Sequence, residues 1–167
     1  MDTINKLFQL IKKYECVLFL FLLVLFPFLS RIKEDVQFIH IVLTSNYITL
    51  IINVYFLMMI YKKIKVINGL RYHLITRLGL KKVKTLLHVF VSLCTIIFCL
   101  ILYLFLFAVY GCKDTNLVLI GLLIGNTIVY LIEANFVFLQ FHKKTNILYI
   151  IIPMMINFAY HYILFIK

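Results

Sequence analysis

The sequence predicts an all-α, polytopic integral membrane protein, and three observations lead there. Hydrophobic residues make up 65% of the 167, charged residues only 14%, and the mean hydropathy is +1.08. A soluble domain of this length needs a more polar exterior than that composition supplies. The apolar residues gather into runs of about 20, the length of a membrane-crossing helix, and lipid admits only helices or closed barrels as spanning structures. The third observation is where the positive charge sits. Residues 62–84, KKIKVINGLRYHLITRLGLKKVK, hold eight of the seventeen Lys and Arg and no acid. This is the one long segment that water would accept, and an excess of Lys and Arg marks a cytoplasmic loop.

Taken in order, residues 1–13 place Ile4, Leu7, Phe8, Leu10 and Ile11 at helical spacing opposite Asn5, Lys6, Gln9, Lys12 and Lys13. That pattern suits a helix lying at the membrane interface, and equally a snorkelling flank of the first span. Residues 14–29 form that span; no small-residue cleavage site precedes Arg31, so it reads as retained. Arg31, Lys33, Glu34 and Asp35 cancel one another in the next turn. Residues 36–61 are too long for an upright helix and begin with Gln37, His40, Thr44, Ser45 and Asn46, so the second span is expected at 41–61. Residues 85–110 make the third. Gly111 and Asp114 carry the stop and start signals of a short turn. Spans four and five are expected at 117–141 and 147–166, the last kinked at Pro153. With the N-terminus in the cytoplasm, the inner face collects thirteen Lys and Arg and the outer face four. Five spans in a single transmembrane domain over 1–167 follow, in the cell membrane with the C-terminus outside.

Several function classes are disfavoured. The net charge of +11 comes with no groove-reading motif, so no nucleic-acid partner is expected; the charges orient the chain and contact anionic lipid. Cys16, Cys94, Cys99 and Cys112 contain no CxxC, and neither a disulfide framework nor a metal site is expected. HExxH, GxSxG and the Gly-rich loop ending in Lys-Ser or Lys-Thr are absent. The chain is therefore read as non-enzymatic and as binding no cofactor, with any energy for work against a gradient arriving from another subunit.

Polar residues inside the spans are the next candidates. Glu133 is the one acid near the middle of a span, where an ionisable group costs several kcal/mol and marks function by default. Asn126, Tyr130, Glu133 and Gln140 fall at helical offsets of four, seven and fourteen and share one face. The alternative is structural: Glu133 hydrogen-bonds across the bundle to Asn53, Asn157 or His161. Asn157 and His161, one turn apart on the fifth span, carry the same two readings. Gly121 and Gly125 form a GxxxG that lets two helix backbones approach, within the chain or between copies.

In the basic segment Ile64, Ile67, Leu70, Leu74 and Leu78 recur every three or four residues, while Arg71, His73 and Arg77 point elsewhere. Such a helix presses apolar knobs into a partner groove with its Arg on an acidic rim, or lies on anionic lipid.

A basic amphipathic lead, two spans and then an inner segment with Arg71, the Arg77-Leu78-Gly79 triplet and Lys81 and Lys82 ahead of a third span resembles the membrane subunits of ABC-2-type (type V) exporters. The likeness is to the small permeases of bacteriocin and lantibiotic transport or self-protection systems. It extends over the first half of the chain and, in outline, the second; that family usually has six spans, and five are found here. The resemblance implies a coupling helix at about 64–78 that meets a separate ABC-type ATPase through Ile67, Leu70, Arg71, Leu74, Arg77 and Leu78. It also implies an interfacial helix at 4–13, ATP and Mg on the partner subunit, and a second transmembrane subunit, copy or paralogue. The substrate would be an amphipathic antimicrobial peptide or a lipid. A stand-alone membrane immunity or interaction protein that transports nothing is the alternative.

Overall fold

A computed structural model describes residues 13–30, 48–110, 117–141, 143 and 146–165. Among these the chain is wholly helical: α1 (Lys13–Ser30), a π-helical turn (Ile48–Ile52), α2 (Asn53–Gly69), α3 (Arg71–Leu78), α4 (Leu80–Tyr110), α5 (Leu117–Phe138) and α6 (Leu148–Phe165). Of the interfacial helix expected over 1–13, residues 1–12 lie outside the described residues and Lys13 opens α1; the turn containing Arg31 to Asp35 and the Gly111 and Asp114 signals also lie outside them.

Among the described residues two helical segments are long and apolar enough to cross a membrane, Leu80–Tyr110 and Ile120–Phe138, and Leu148–Ile163 is a shorter apolar helix. The other expected spans fall short of that measure among the described residues. α2 carries Lys62, Lys63 and Lys65 in its second half, which lowers its mean apolarity.

The boundaries differ most from expectation around the basic segment. The second helix does not stop at residue 61 but continues to Gly69. Its inward stripe, Phe56, Ile60, Ile64 and Ile67, keeps the i, i+4, i+8, i+11 rhythm through the lysines, so packing holds the helix together past the point where charge begins. Leu70 closes it, with its N–H donating to the Val66 and Ile67 carbonyls. α3 follows as a separate piece, and Gly79 separates it from α4 at φ 77° and ψ 147°, a conformation that glycine adopts without steric cost. α4 then starts at Leu80, five residues before the expected third span. At about 1.5 Å per residue its 31 residues reach about 46 Å, well beyond a hydrocarbon core of about 30 Å, so the turn bearing Lys81, Lys82 and Lys84 stands clear of it.

Helix α4 is the spine of the bundle. Leu87, Phe90, Val91, Cys94, Phe98, Leu102 and Leu106 form its buried stripe. Phe98 stacks on Phe56 of α2 with ring centroids 4.1 Å apart, meets Phe19 of α1 at 5.3 Å and sets its edge against Tyr130 of α5 at 5.7 Å. One aromatic side chain thus ties four helices. The outer face of α4 is also apolar, with Leu93, Ile97, Leu100, Leu104 and Phe107 exposed, and α5 turns Ile120, Ile124, Ile128 and Ile132 outward. A helix that is apolar on its unpacked face matches a lipid surround better than water. α5 ends at Phe138, three residues short of the expected boundary, in a turn fastened by Asn68 of α2, whose amide donates to the Gln140 and Lys143 carbonyls. α6 runs unbroken through Pro153.

Candidate functional sites: a buried polar node and an exposed basic helix

Helix α5 inverts the arrangement of a soluble helix. Its isoleucines face out and Asn126, Tyr130 and Glu133 face in, all fully buried, as is Gln140 in the turn that follows. Asn53 at the start of α2 and Asn157 on α6 meet this face, each with at most 1% exposure. Asn53 Nδ2 donates to Glu133 Oε2 at 2.7 Å. Asn157 lies against the same carboxyl without completing a hydrogen bond. His161, one turn beyond Asn157, is buried with its ring 5.5 Å from that of Tyr160.

The hydrogen-bond accounting of this node does not close. Glu133 Oε1, Asn53 Oδ1, both amide atoms of Asn157, both of Asn126 and the Tyr130 hydroxyl find no hydrogen-bond partner among the described residues. Most buried polar groups are paired, and an unpaired one costs about 1–3 kcal/mol, so several at one place call for a physical reason. Nearby, the Tyr103 hydroxyl sits 3.4 Å from both the Leu123 carbonyl and Thr127 Oγ1, knitting α4 to α5. Below the node Gln140 Nε2 reaches the Tyr61 carbonyl at 3.4 Å.

The six residues proposed from the sequence for ATPase contact separate in the structure. Ile67 is buried in the chain's own core, because α2 carries it inward. Leu74 and Leu78 lean half-buried on that core. Leu70 and Arg77 are exposed, and α3 as a whole buries no residue. Arg71 lays its guanidinium 4.8 Å from the centre of the exposed Tyr72 ring and donates to its hydroxyl at 3.1 Å. The exposed surface here is therefore Leu70 at the cap of α3 with Tyr72, His73, Thr76 and Arg77 and the half-exposed Arg71, and the continuous apolar stripe is split between the core and this face.

Of the GxxxG glycines, Gly121 has nothing within 4 Å of the place where a Cβ would sit, and Gly125 meets only the Tyr160 hydroxyl at 3.5 Å. No backbone of another described helix approaches there. Cys16, Cys94 and Cys99 are free thiols.

One buried site escaped the sequence reading. Lys63, counted there as part of the exposed basic segment, is buried and paired with Glu15 of α1, its Nζ 2.7 Å from Oε1 and 2.5 Å from Oε2. Tyr55 donates its hydroxyl to the Glu15 backbone carbonyl at 2.9 Å. Beside the pair an almost wholly apolar cavity of about 270 Å³ opens between α1, α2 and α4, lined by Phe19, Phe56, Met59, Cys94 and Phe98 among others. The signal was present in the periodicity: Lys63 follows Ile60 by three residues and precedes Ile67 by four, which places it on the inward stripe.

No family model matches this chain, and neither a curated protein nor a solved structure resembles it significantly.

Proposed function

We propose that this chain is a non-catalytic membrane subunit of an ATP-driven exporter for an amphipathic substrate, an antimicrobial peptide or a lipid. In this reading it spans the membrane five times, with the N-terminus in the cytoplasm and the C-terminus outside. It pairs with a second transmembrane subunit, and a separate ATPase docks on its cytoplasmic face. The observation that carries the proposal is α3: an eight-residue helix held between two long helices that buries nothing of its own. A helix that leans on the core only through Leu74 and Leu78 and leaves its other face open suits the transmission of movement from a soluble partner to the bundle. Its exposed Arg77 and half-exposed Arg71 suit acidic groups around a docking groove, and Tyr72 and Leu70 supply apolar contact at its centre. Ile67 takes no part, since the core already holds it.

A pull-down of the tagged chain from its native membrane in mild detergent tests this, with an Arg71→Glu, Arg77→Glu variant beside it. The expected result is an ATPase that co-purifies with the native chain and is lost from the charge-reversed one. Because α3 buries no residue, the variant should insert and unfold as the native chain does. If no ATPase accompanies either form, the exporter reading fails and the chain acts alone, as an immunity or interaction protein.

A further inference from the structure

Helix α5 places the Glu133 carboxyl, with no exposure, at a point where α2 and α6 each present a carboxamide. The unpartnered atoms there are mostly acceptors: Glu133 Oε1, Asn53 Oδ1 and Asn157 Oδ1, one from each of three helices. The Tyr130 hydroxyl, one turn away on α5, has no partner either. A carboxylate held out of water is costly unless a positive charge accompanies it.

The remaining question is what supplies the positive charge. The other buried carboxylate, Glu15, is neutralised by the Lys63 ammonium. Glu133 has a neutral amide as its hydrogen-bond donor and no ion pair among the described residues. We infer that the node formed by Glu133, Asn53 and Asn157 is a binding site for one monovalent hard cation, with Na+ as its ligand. Carboxylate and carboxamide oxygens are hard ligands that suit such ions. A single positive charge cancels Glu133, whereas a divalent ion would leave an uncompensated charge in the same low-dielectric place. Na+ is smaller than K+, which is held elsewhere by full cages of carbonyl oxygens, so with water completing the shell a node of few protein oxygens suits Na+ better. Asn157 is the adjustable ligand, because neither of its amide atoms is committed to another group. The inference does not depend on the ATPase reading: a bundle that acts alone would bind the ion equally well.

The test uses the full chain purified in mild detergent, unfolded thermally and followed by helical circular dichroism. NaCl is titrated against choline chloride at constant ionic strength and fixed pH. Saturating Na+ is expected to raise the Tm by about 5 °C, the size of effect that a ligand well above its Kd produces in a chain of this length. Choline is expected to give no shift. Glu133→Gln should abolish the Na+ response. Asn157→Leu, which leaves the Asn53 to Glu133 hydrogen bond in place, should weaken Na+ affinity at least tenfold; it carries the test if the Glu133 variant fails to fold. Equilibrium dialysis with radioactive Na+ should give one ion per native chain. Identical unfolding in the two salts would mean that a proton, and not a metal ion, neutralises Glu133, and would overturn the inference. So would a Na+ response that survives undiminished in whichever variants fold.

Discussion

Glu15 and Glu133 are both buried in the bundle, and the chain answers them differently. Glu15, near the start of α1, receives the Lys63 ammonium on both oxygens and lends its backbone carbonyl to Tyr55. Glu133, in the last third of α5, receives one amide hydrogen from Asn53 and leaves its second oxygen unmet. The first site is closed, with charge matched by charge, and reads as a clamp between α1 and α2. The second is open in valence but closed to solvent. Burial alone therefore does not identify a functional carboxylate in a membrane bundle; what separates the two is whether the protein itself completes the coordination.

Removing the cation from the closed site is the harshest way to break this comparison. Lys63→Ala takes the ammonium away from the buried Glu15 carboxylate, and removing one member of a buried ion pair costs about 3–5 kcal/mol. The variant should unfold in detergent far below the native chain, and a loss under about 1 kcal/mol would make Lys63 an ordinary topology charge. Asn53→Leu sharpens the contrast from the other side. It removes the hydrogen bond that Asn53 donates to Glu133, but the donor is a neutral amide, so the expected cost is smaller, about 1–3 kcal/mol. If Asn53→Leu proves as damaging as Lys63→Ala, the node is as much a structural clamp as the ion pair is.

The helical class and the position of the polar face were legible in the sequence because both rest on periodicity. Asn126, Tyr130, Glu133 and Gln140 share a face by spacing alone, and all four are buried together. Asn53 and Asn157 stood among the possible partners of Glu133, yet which of them bonds to it depends on how α2, α5 and α6 cross, and spacing along one helix carries no such information. Composition misled at the basic segment. Lys62, Lys63 and Lys65 look like a loop by charge, but Ile60, Ile64 and Ile67 continue the buried stripe of α2, and packing outweighs the lysines. Of the three, Lys62 and Lys65 point to solvent and Lys63 points in, where it needs Glu15. The break at Gly79 was likewise hidden: the sequence contains the glycine, and only the backbone shows the positive φ that divides α3 from α4.

The smallest expected effect is the most exacting for the comparison. Glu15→Gln combined with Lys63→Met removes both charges of the closed site while keeping side chains of similar length. On the expected topology the inner face then carries twelve Lys and Arg instead of thirteen against four outside, so the charge bias that orients the chain is kept. Replacing a buried ion pair by uncharged groups that pack well is often neutral or stabilising, because two desolvation costs vanish with the attraction. The double variant should therefore unfold within about 1 kcal/mol of the native chain, or above it, although Lys63→Ala alone is severely destabilised. The large non-additivity of the double-mutant cycle would then measure charge compensation. If instead the double variant falls as far as Lys63→Ala, the lysine is held by its aliphatic stem against Ile60 and Ile67 and not by its charge. Glu15 would then be no better satisfied than Glu133, and the contrast between the two sites would dissolve.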